Sequence, residues 1–270
     1  MRYRHLTITL TIGLGLLMVL FNSMYRTPAL YAATPVTVEQ TTAEPPTGSQ
    51  GVLAQLVVTP TKDNTLYEDT NGALSNGAGA HFFTGKTSGG SIRRGLLAFE
   101  LTGKLPAGAT IVSATLQLNM SKSNAGATAV RLHRALANWG EGSSQAERGE
   151  GGGGTSTTND ATWLHAFFNT ATWATPGGVF VITPTATINV GAPASYQWSS
   201  PALLADVQSW LNNPDANFGW VVIGDESKNS TAKRFDTRQN PVAASRPQLI
   251  IVYSTGVSAS VKLYLPVARK

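Results

Sequence analysis

The stretch Val112-Ser113-Ala114-Thr115-Leu116-Gln117-Leu118-Asn119-Met120 alternates apolar and polar side chains without interruption. Successive side chains of a β-strand point to opposite faces, so this period of two predicts a strand with one buried face and one solvated face. A helix, with its period of 3.6 residues, would scatter the same apolar side chains around its circumference. The stretch therefore indicates a half-buried sheet.

Several other segments carry strand patterns. Segments 97–101 and 130–132 repeat the alternation, and the continuous apolar runs 218–224 and 249–253 are typical of central strands. Turn signals rich in Gly, Pro and Asn separate these runs. We therefore expect an all-β domain over residues 52–255, built as a jelly-roll-like antiparallel β-sandwich with one short helix.

The helix is predicted from a single segment with a different period. Its apolar residues fall on one helix face: Leu203, Leu204, Val207, Trp210 and Leu211. Ser199 or Ser200 is the expected N-cap before Pro201, and Asn212-Asn213-Pro214 is a typical end. These signals predict a short helical crossover between strands.

The N-terminal segment has the pattern of an export signal. Arg2 and Arg4 precede the apolar run 6–21, which small and polar residues follow. This order is typical of a signal peptide, and we expect one over residues 1–32 with cleavage after Ala32 or the next alanine. The alternative is an uncleaved anchor, and in either case the domain leaves the cytoplasm. The expected location is extracellular.

Three segments interrupt or flank the strand patterns. Residues 33–51 are rich in Thr, Pro, Glu and Gly, which predicts a disordered linker. Residues 256–270 differ again in composition and predict a C-terminal tail with a weak strand-like alternation. Gly149–Gly154 contains only glycine apart from one glutamate, so we expect a flexible loop there, not a strand.

The positive charge of the chain lies at its ends. Of the 20 Lys and Arg residues, three lie within residues 1–32 and three within 256–270, which leaves 14 against all 15 Asp and Glu residues. A surface that follows phosphates needs clustered cations, and the sequence of the domain shows no such cluster. We therefore expect no nucleic-acid partner, and no membrane partner once the signal segment is cleaved.

Local motifs for catalysis are missing from the sequence. The chain has no cysteine, which excludes disulfides and thiolate chemistry. The segment 84–87 (Thr-Gly-Lys-Thr) resembles the end of a phosphate-binding loop but has Ala80 where that motif needs its first glycine. The spacing of the histidines does not match a zinc motif, and no Gly-x-Ser-x-Gly surrounds a serine. We expect no catalytic residue and no cofactor, and leave a structural calcium open.

A series of short motifs follows one order along the domain: Lys62–Glu68, Leu74–Gly79, Arg93–Phe99, Leu132–Arg134, Trp139–Gly142, Gly149–Gly154, Asp160–His165, Asn217–Trp220, Gly224–Glu226 and Lys233–Arg238. In this order they resemble the bacterial DNRLRE-domain family, over about residues 53–253, although the hexapeptide that names the family is absent. The resemblance implies a secreted jelly-roll-like sandwich. It also implies kinship with carbohydrate-binding modules, some of which bind acidic polysaccharides, by analogy of fold.

Aromatic residues are the main candidates for a binding surface, because sugar C–H groups stack on aromatic faces. Trp198, Trp210 and Trp220 lie in apolar patterns and are expected in the core. The other tryptophans lie among Gly, Asn, Thr and Ala and are candidates for an exposed platform: Trp139, Trp163 and Trp173. Packing beneath a long loop is the alternative for each of them.

Polar residues complete the candidate set. His81 and His165 could donate hydrogen bonds to sugar hydroxyls, and Asp225 and Arg234 could add further ones. The adjacent carboxylates Asp225 and Glu226 follow an apolar run, so a loop would display them. Solvation, a bond to Arg234 or Arg238, and calcium ligation are the alternative roles of this pair.

Three functional hypotheses follow. The first is a secreted, non-catalytic module that binds a polysaccharide or cell-surface glycan through loop aromatics. The second is a structural or adhesive surface protein with protein partners. The third is a polysaccharide hydrolase or lyase, which would require two carboxyl groups opposed across a cleft.

Overall fold

The structure is a computed structural model that describes residues 52–255, so the predicted signal segment, linker and tail lie outside the described residues. The described part contains one helix, α1, at Pro201–Asn212 and short 3-10 turns at Pro214–Ala216 and Ala243–Ser245. Its 15 strands, in chain order, are β1 (Val52–Val58), β2 (Lys62–Tyr67), β3 (Leu74–Ser75), β4 (His81–Lys86), β5 (Ile92–Ala98), β6 (Thr110–Ser123), β7 (Thr128–Arg134), β8 (Gly154–Thr155), β9 (His165–Phe167), β10 (Ala171–Thr172), β11 (Ala186–Val190), β12 (Ala194–Trp198), β13 (Trp220–Ile223), β14 (Lys233–Asp236) and β15 (Gln248–Thr255).

Eleven of these strands form one large, curled antiparallel sheet in the order β1-β15-β6-β14-β4-β5-β13-β7-β11, with β12 paired to β6 and β2 paired to β5. Strands β9 and β10 form a small separate sheet, as do β3 and β8. The predicted all-β, antiparallel character with one short helix is confirmed.

The main core cluster draws side chains from ten of the eleven strands of the curled sheet, all but β2. The alternation of β6 is confirmed, because Leu116, Leu118 and Met120 are fully buried. They share one apolar cluster with Trp220 of β13 and Leu132 of β7, from the other end of the sheet. Trp198, Trp210 and Trp220 are each 0% exposed, which confirms their predicted place in the core.

Helix α1 matches its prediction at both ends. The Ser200 hydroxyl accepts a 2.9 Å hydrogen bond from the Leu203 backbone amide, which is the N-cap contact expected before Pro201. Leu203, Val207 and Trp210 are fully buried on one face. The helix is therefore fixed by its cap and by its apolar face, which belongs to the main core cluster.

Two boundaries differ from expectation. Strand β5 ends at Ala98, although Phe99 and Leu101 continue its alternation and are buried in the core beyond the strand. The glycine segment contributes Gly154 to the short strand β8, so its last residue is in a strand after all. Across residues 52–255, no helix is both long and apolar enough to cross a bilayer.

A buried polar network supports the long loops. Asn64 of β2 accepts hydrogen bonds from the Ser75 hydroxyl and the Asn76 amide and donates to the Glu141 carbonyl. The side chain of Asn76 in turn accepts from the Ala146 amide. Asn64 and Asn76 are each 1% exposed, so these bonds replace the hydrogen bonds that both side chains would make with water in the unfolded chain. The loops after β3 and β7 are therefore held in one arrangement.

Candidate functional site

A basic row crosses three strands on the outer face of the sheet. The register pairs Arg234 of β14 with Phe83 of β4 on one side and with Lys122 of β6 on the other. Directly paired residues in antiparallel strands point to the same face, so these three side chains lie side by side. Alternation along β14 puts Phe235 on the opposite face, where it is fully buried in the core.

A cavity of about 210 Å³ opens above this row. Besides the row itself, it is lined by the β6–β7 turn, the glycine segment and the start of β14: Ser123, Asn124, Gly149, Gly151, Ala232 and Lys233. A neighbouring cavity of about 240 Å³ shares Asn124 and Ala232 and adds Thr87, Ser88 and Ser230. We call the two cavities together the basic groove.

The cations of the basic groove have no acidic partner among the described residues. None of Lys122, Lys233 and Arg234 takes part in the ion pairs found within 52–255. Within the described residues, the Arg234 guanidinium donates to one side chain, the Ser121 hydroxyl, at 3.1 Å. Lys122 and Arg234, which keep accessible surface, therefore remain available to an external anion, whereas Lys233 is buried.

Lys233 is the most unusual of them, because it is 1% exposed. Its ammonium donates to the Gly126 carbonyl at 3.0 Å and approaches the Ser123 hydroxyl at 3.5 Å. Burial lowers the pKa of this lysine, and no nearby carboxylate opposes that effect. A buried ammonium without a counter-ion is costly in isolation, and a bound anion would relieve that cost.

His81 lies beside the basic row, two residues before Phe83 on β4. Its Nδ1 is 3.3 Å from a Glu150 carboxylate oxygen, and its Nε2 is 3.5 Å from Asp236 Oδ1. Asn119 donates to the other oxygen of Asp236 at 2.6 Å. The structure thus brings His81 and Arg234 to the same face, but it places His81 between two carboxylates.

Glu150 fixes the glycine segment in place. Its carboxylate accepts hydrogen bonds from the backbone amides of Ala80 and His81 and from the Asn76 side chain. Burial alone would raise the pKa of Glu150, but the hydrogen bonds from His81 and Asn76 outweigh it and the net shift is downward. The wall of the basic groove therefore has a charged anchor within its run of glycines.

Asp225 and Glu226 have local partners that differ from those expected. Asp225 accepts hydrogen bonds from the Ser227 hydroxyl and amide, which lower the pKa of its carboxyl group. Glu226 forms a two-pronged pair with Arg94, at 2.8 and 2.9 Å. The predicted bond from this pair to Arg234 or Arg238 is therefore wrong, since Arg94 is the partner.

Arg238 instead pairs with Glu141, in the loop after β7. Its backbone amide also donates to Asp63, at 2.8 Å. Burial raises the pKa of Asp63 to about 8, and the nearby Glu141 carboxylate adds to that shift, while the hydrogen bond from the Arg238 amide opposes it. This carboxyl group is 0% exposed, so it has no access to a substrate.

The loop residues Trp163, His165 and Trp173 converge on a turn at Thr162. The Trp173 indole donates to the Thr162 carbonyl at 2.9 Å, and His165 Nδ1 lies 3.0 Å from the Thr162 hydroxyl. Trp163 is half-buried, with the Arg94 guanidinium 5.0 Å from its ring centre. Among these residues, Trp163 and His165 keep part of their surface accessible.

Trp139 and Trp173 are not exposed as a platform would require. Trp139 is 0% exposed, donates its indole N–H to the Phe218 carbonyl at 2.9 Å and lies beneath the Lys62 ammonium. Trp173 is 7% exposed. The predicted exposure of these two rings is therefore wrong, and the alternative of packing beneath a loop is confirmed, because both belong to a second apolar cluster.

Within 52–255, the structure shows no group of three or more His, Asp or Glu side chains suited to hold a metal ion. Asp225 is occupied by Ser227, and Glu226 by Arg94. Neither carboxylate is thus oriented toward a shared cation position.

Sequence reasoning missed most of the basic groove. Local patterns give no signal for Phe83, Lys122 and Lys233, because their proximity depends on the pairing of Arg234 with Phe83 and with Lys122, which lie 151 and 112 positions away in the chain. The adjacent Lys233-Arg234 pair inside a short strand was the available signal. One of two adjacent strand residues must face the core side, which is an unusual place for a cation.

Comparison with known proteins adds no relative. No protein-family model matches the chain, and no curated protein matches it significantly.

Proposed function

We propose that this chain is an exported, non-catalytic module that binds an acidic polysaccharide at the basic groove. The single observation that carries the proposal is the set of three cations, Lys122, Lys233 and Arg234, that share a groove without an acidic partner in the described residues. Uronate or sulfate groups would supply the missing counter-charge.

The position of the groove supports a polymer ligand. The two cavities adjoin, so a chain of sugars could lie across the β6–β7 turn from Arg234 toward Ser230. Hydroxyl and amide side chains of Ser123, Asn124 and Thr87 offer hydrogen bonds along this path. Phe83 is 8% exposed and provides an apolar floor, not a stacking platform. This proposal moves the binding surface from the loop tryptophans to a strand face.

Affinity electrophoresis through gels that contain a polyuronate, a sulfated galactan or a neutral glucan tests the proposal. We expect retardation by an acidic polymer only. The double variant Lys122→Ala/Arg234→Ala should weaken the binding by about tenfold or more, since two charge-assisted contacts are lost. Added salt should weaken the binding of the unmodified chain.

Lys104→Ala is the matched control, because Lys104 is an exposed lysine between β5 and β6 that lines neither cavity of the groove. It should bind like the unmodified chain. Equal retardation by the neutral glucan, or no retardation by any polymer, would contradict the proposal.

Three finer statements belong to the same proposal. The curled sheet would be a jelly-roll-like sandwich, which is supported by the single core cluster shared between β6, β14 and β15 on one side and β7 and β13 on the other. The family would be the DNRLRE-domain family, supported by the motifs alone. Export would follow from the signal pattern of residues 1–32, and sequencing the N-terminus of the secreted chain tests it.

A second candidate function is adhesion to a protein partner. It is favoured by the burial of Trp139 and Trp173 and by two exposed apolar side chains, Leu136 and Ile182, which are 51% and 82% exposed. The two segments are joined by the hydrogen bond from the Leu136 amide to the Val179 carbonyl. Ile182→Asp should then reduce attachment of the chain to cell envelopes, whereas the variant of the basic groove should not.

A further inference from the structure

The first strand of the domain has an unusual edge. Strand β1 pairs with β15 along its whole length and is the end of the strand order, so its other edge has no strand partner among the described residues. Its sequence, Val-Leu-Ala-Gln-Leu-Val-Val, contains no charge, proline or glycine. Natural proteins usually protect such edges with lysine, proline or a bulge, because an open edge invites another strand.

The outer face beside this edge is apolar as well. Leu53 and Val57 are 62% and 46% exposed, and both point away from the core, since Leu56 and Val58 alternate with them and face the apolar cluster. Ile250 of β15, which is half-buried, lies directly opposite Val57. An occupant of this edge would thus find backbone partners and an apolar strip together.

The sequence of β1 is self-complementary. When two antiparallel copies are centred on Gln55, Leu53 opposes Val57 on the outer face, while Ala54 opposes Leu56 and Val52 opposes Val58 on the inner face. Directly opposed residues share a face in antiparallel pairing, so every contact except the central Gln55 pair is apolar against apolar. The central Gln55 side chains can bond each other through their amide groups.

We propose that β1 forms an edge-to-edge, two-fold symmetric interface with a second copy of this chain. Such an isologous contact uses the same strand in both partners and closes on itself. The strand has no like charges to repel across the axis, and its pattern matches its own reverse. One pair of strands buries less surface area than a standard protein–protein interface, so the fraction of dimer should depend on concentration. This inference does not depend on the proposed ligand.

Sedimentation velocity on the chain secreted by an expression host tests the interface. The unmodified chain should shift from monomer to dimer as its concentration rises. Leu53→Glu/Val57→Glu places carboxylates opposite each other and should weaken the dimer by at least about tenfold. Leu53→Glu/Val57→Lys places opposite charges across the axis and should restore the dimer in a salt-sensitive way. If this second variant formed no more dimer than the first, the assigned register would be overturned.

Cysteine cross-linking provides a second measurement, because the natural chain has no cysteine. Gln55→Cys lies on the proposed axis and should form a disulfide-linked dimer under mild oxidation. Val112→Cys is the matched control, since Val112 is 48% exposed on β6 but lies away from the edge. A chain that stays monomeric at every concentration, or equal cross-linking of the two variants, would overturn the proposal.

Discussion

At the scale of single residues, Asp63 links pH to the stability of the fold. It is fully buried, and the Arg238 amide bonds one of its oxygens, while the other oxygen has no partner in the described structure. Because its pKa is raised to about 8 in the folded chain, folding favours the neutral acid. The stabilisation is complete below about pH 4 and is lost as the pH rises toward 8.

Asp63→Asn should remove this pH dependence. Asparagine keeps an oxygen for the Arg238 amide and cannot ionise. Between pH 5 and 7, the free energy of unfolding of the variant should therefore rise relative to that of the natural chain by about 1.4 kcal/mol per pH unit. Urea unfolding at three pH values measures the difference. Asp225→Asn is the contrast, since the pKa of Asp225 is lowered and its carboxyl group stays ionised in both states between pH 5 and 7, so this variant should show no such slope. Parallel pH profiles for Asp63→Asn and the natural chain would refute this prediction.

Ser200 has two roles at the start of α1. Its hydroxyl accepts from the Leu203 amide and donates to the Thr185 carbonyl at 2.6 Å. Ser200→Ala should therefore lower the free energy of unfolding by about 1–2 kcal/mol. Thermal denaturation measures this loss and compares it with that of Ser199→Ala, because the exposed Ser199 side chain has no capping contact. Equal destabilisation by both variants would show that the cap is unimportant.

At the scale of elements, the glycine segment is held by one side chain. Glu150 has a positive φ of 65° and still bonds Asn76, Ala80 and His81. Because Gly149 and Gly151 line the basic groove, this anchor also sets the shape of its wall. The predicted loop is thus present, but a half-buried carboxylate within it holds the glycines in one arrangement.

Glu150→Ala should release this loop. The loss of several bonds to a carboxylate should cost about 2 kcal/mol or more, and a protease should cut the glycine segment faster. Limited proteolysis with mass analysis of the fragments measures the change. Glu147→Ala is the control, because Glu147 lies in the same loop with an exposed side chain. Unchanged cleavage in Glu150→Ala would contradict the anchoring role.

Locally encoded elements could be predicted from the sequence, and sites made by long-range pairing could not. Strand β6 and helix α1 follow from periodicity and a cap, which depend only on neighbouring residues. The row of Phe83, Arg234 and Lys122 depends on the register of β14 with two distant strands. The burial of Trp139 depends on a loop that folds over it, for which local composition has no signal.

At the scale of the whole molecule, the proposed dimer and the proposed ligand reinforce each other. Two basic grooves joined through β1 could hold one polymer at two points, which raises the apparent affinity without any new contact. The variant Leu53→Glu/Val57→Glu should then bind a long polyuronate more weakly than the natural chain does, but a short oligomer equally well. Calorimetry with both ligands measures this difference. An equal loss for both ligands would mean that the variant damages the groove itself.

The antiparallel pairing of β1 with β15 has a mechanical consequence. Val52 and Thr255 are direct partners at one end of this pair of strands, and the two strands run away from them side by side. A force that pulls these two residues apart would break the seven residue pairs between β1 and β15 one after another, starting at this end. The force would not be shared by all seven pairs at once. The domain should therefore yield at low tension along this axis, beginning with the release of its first strand.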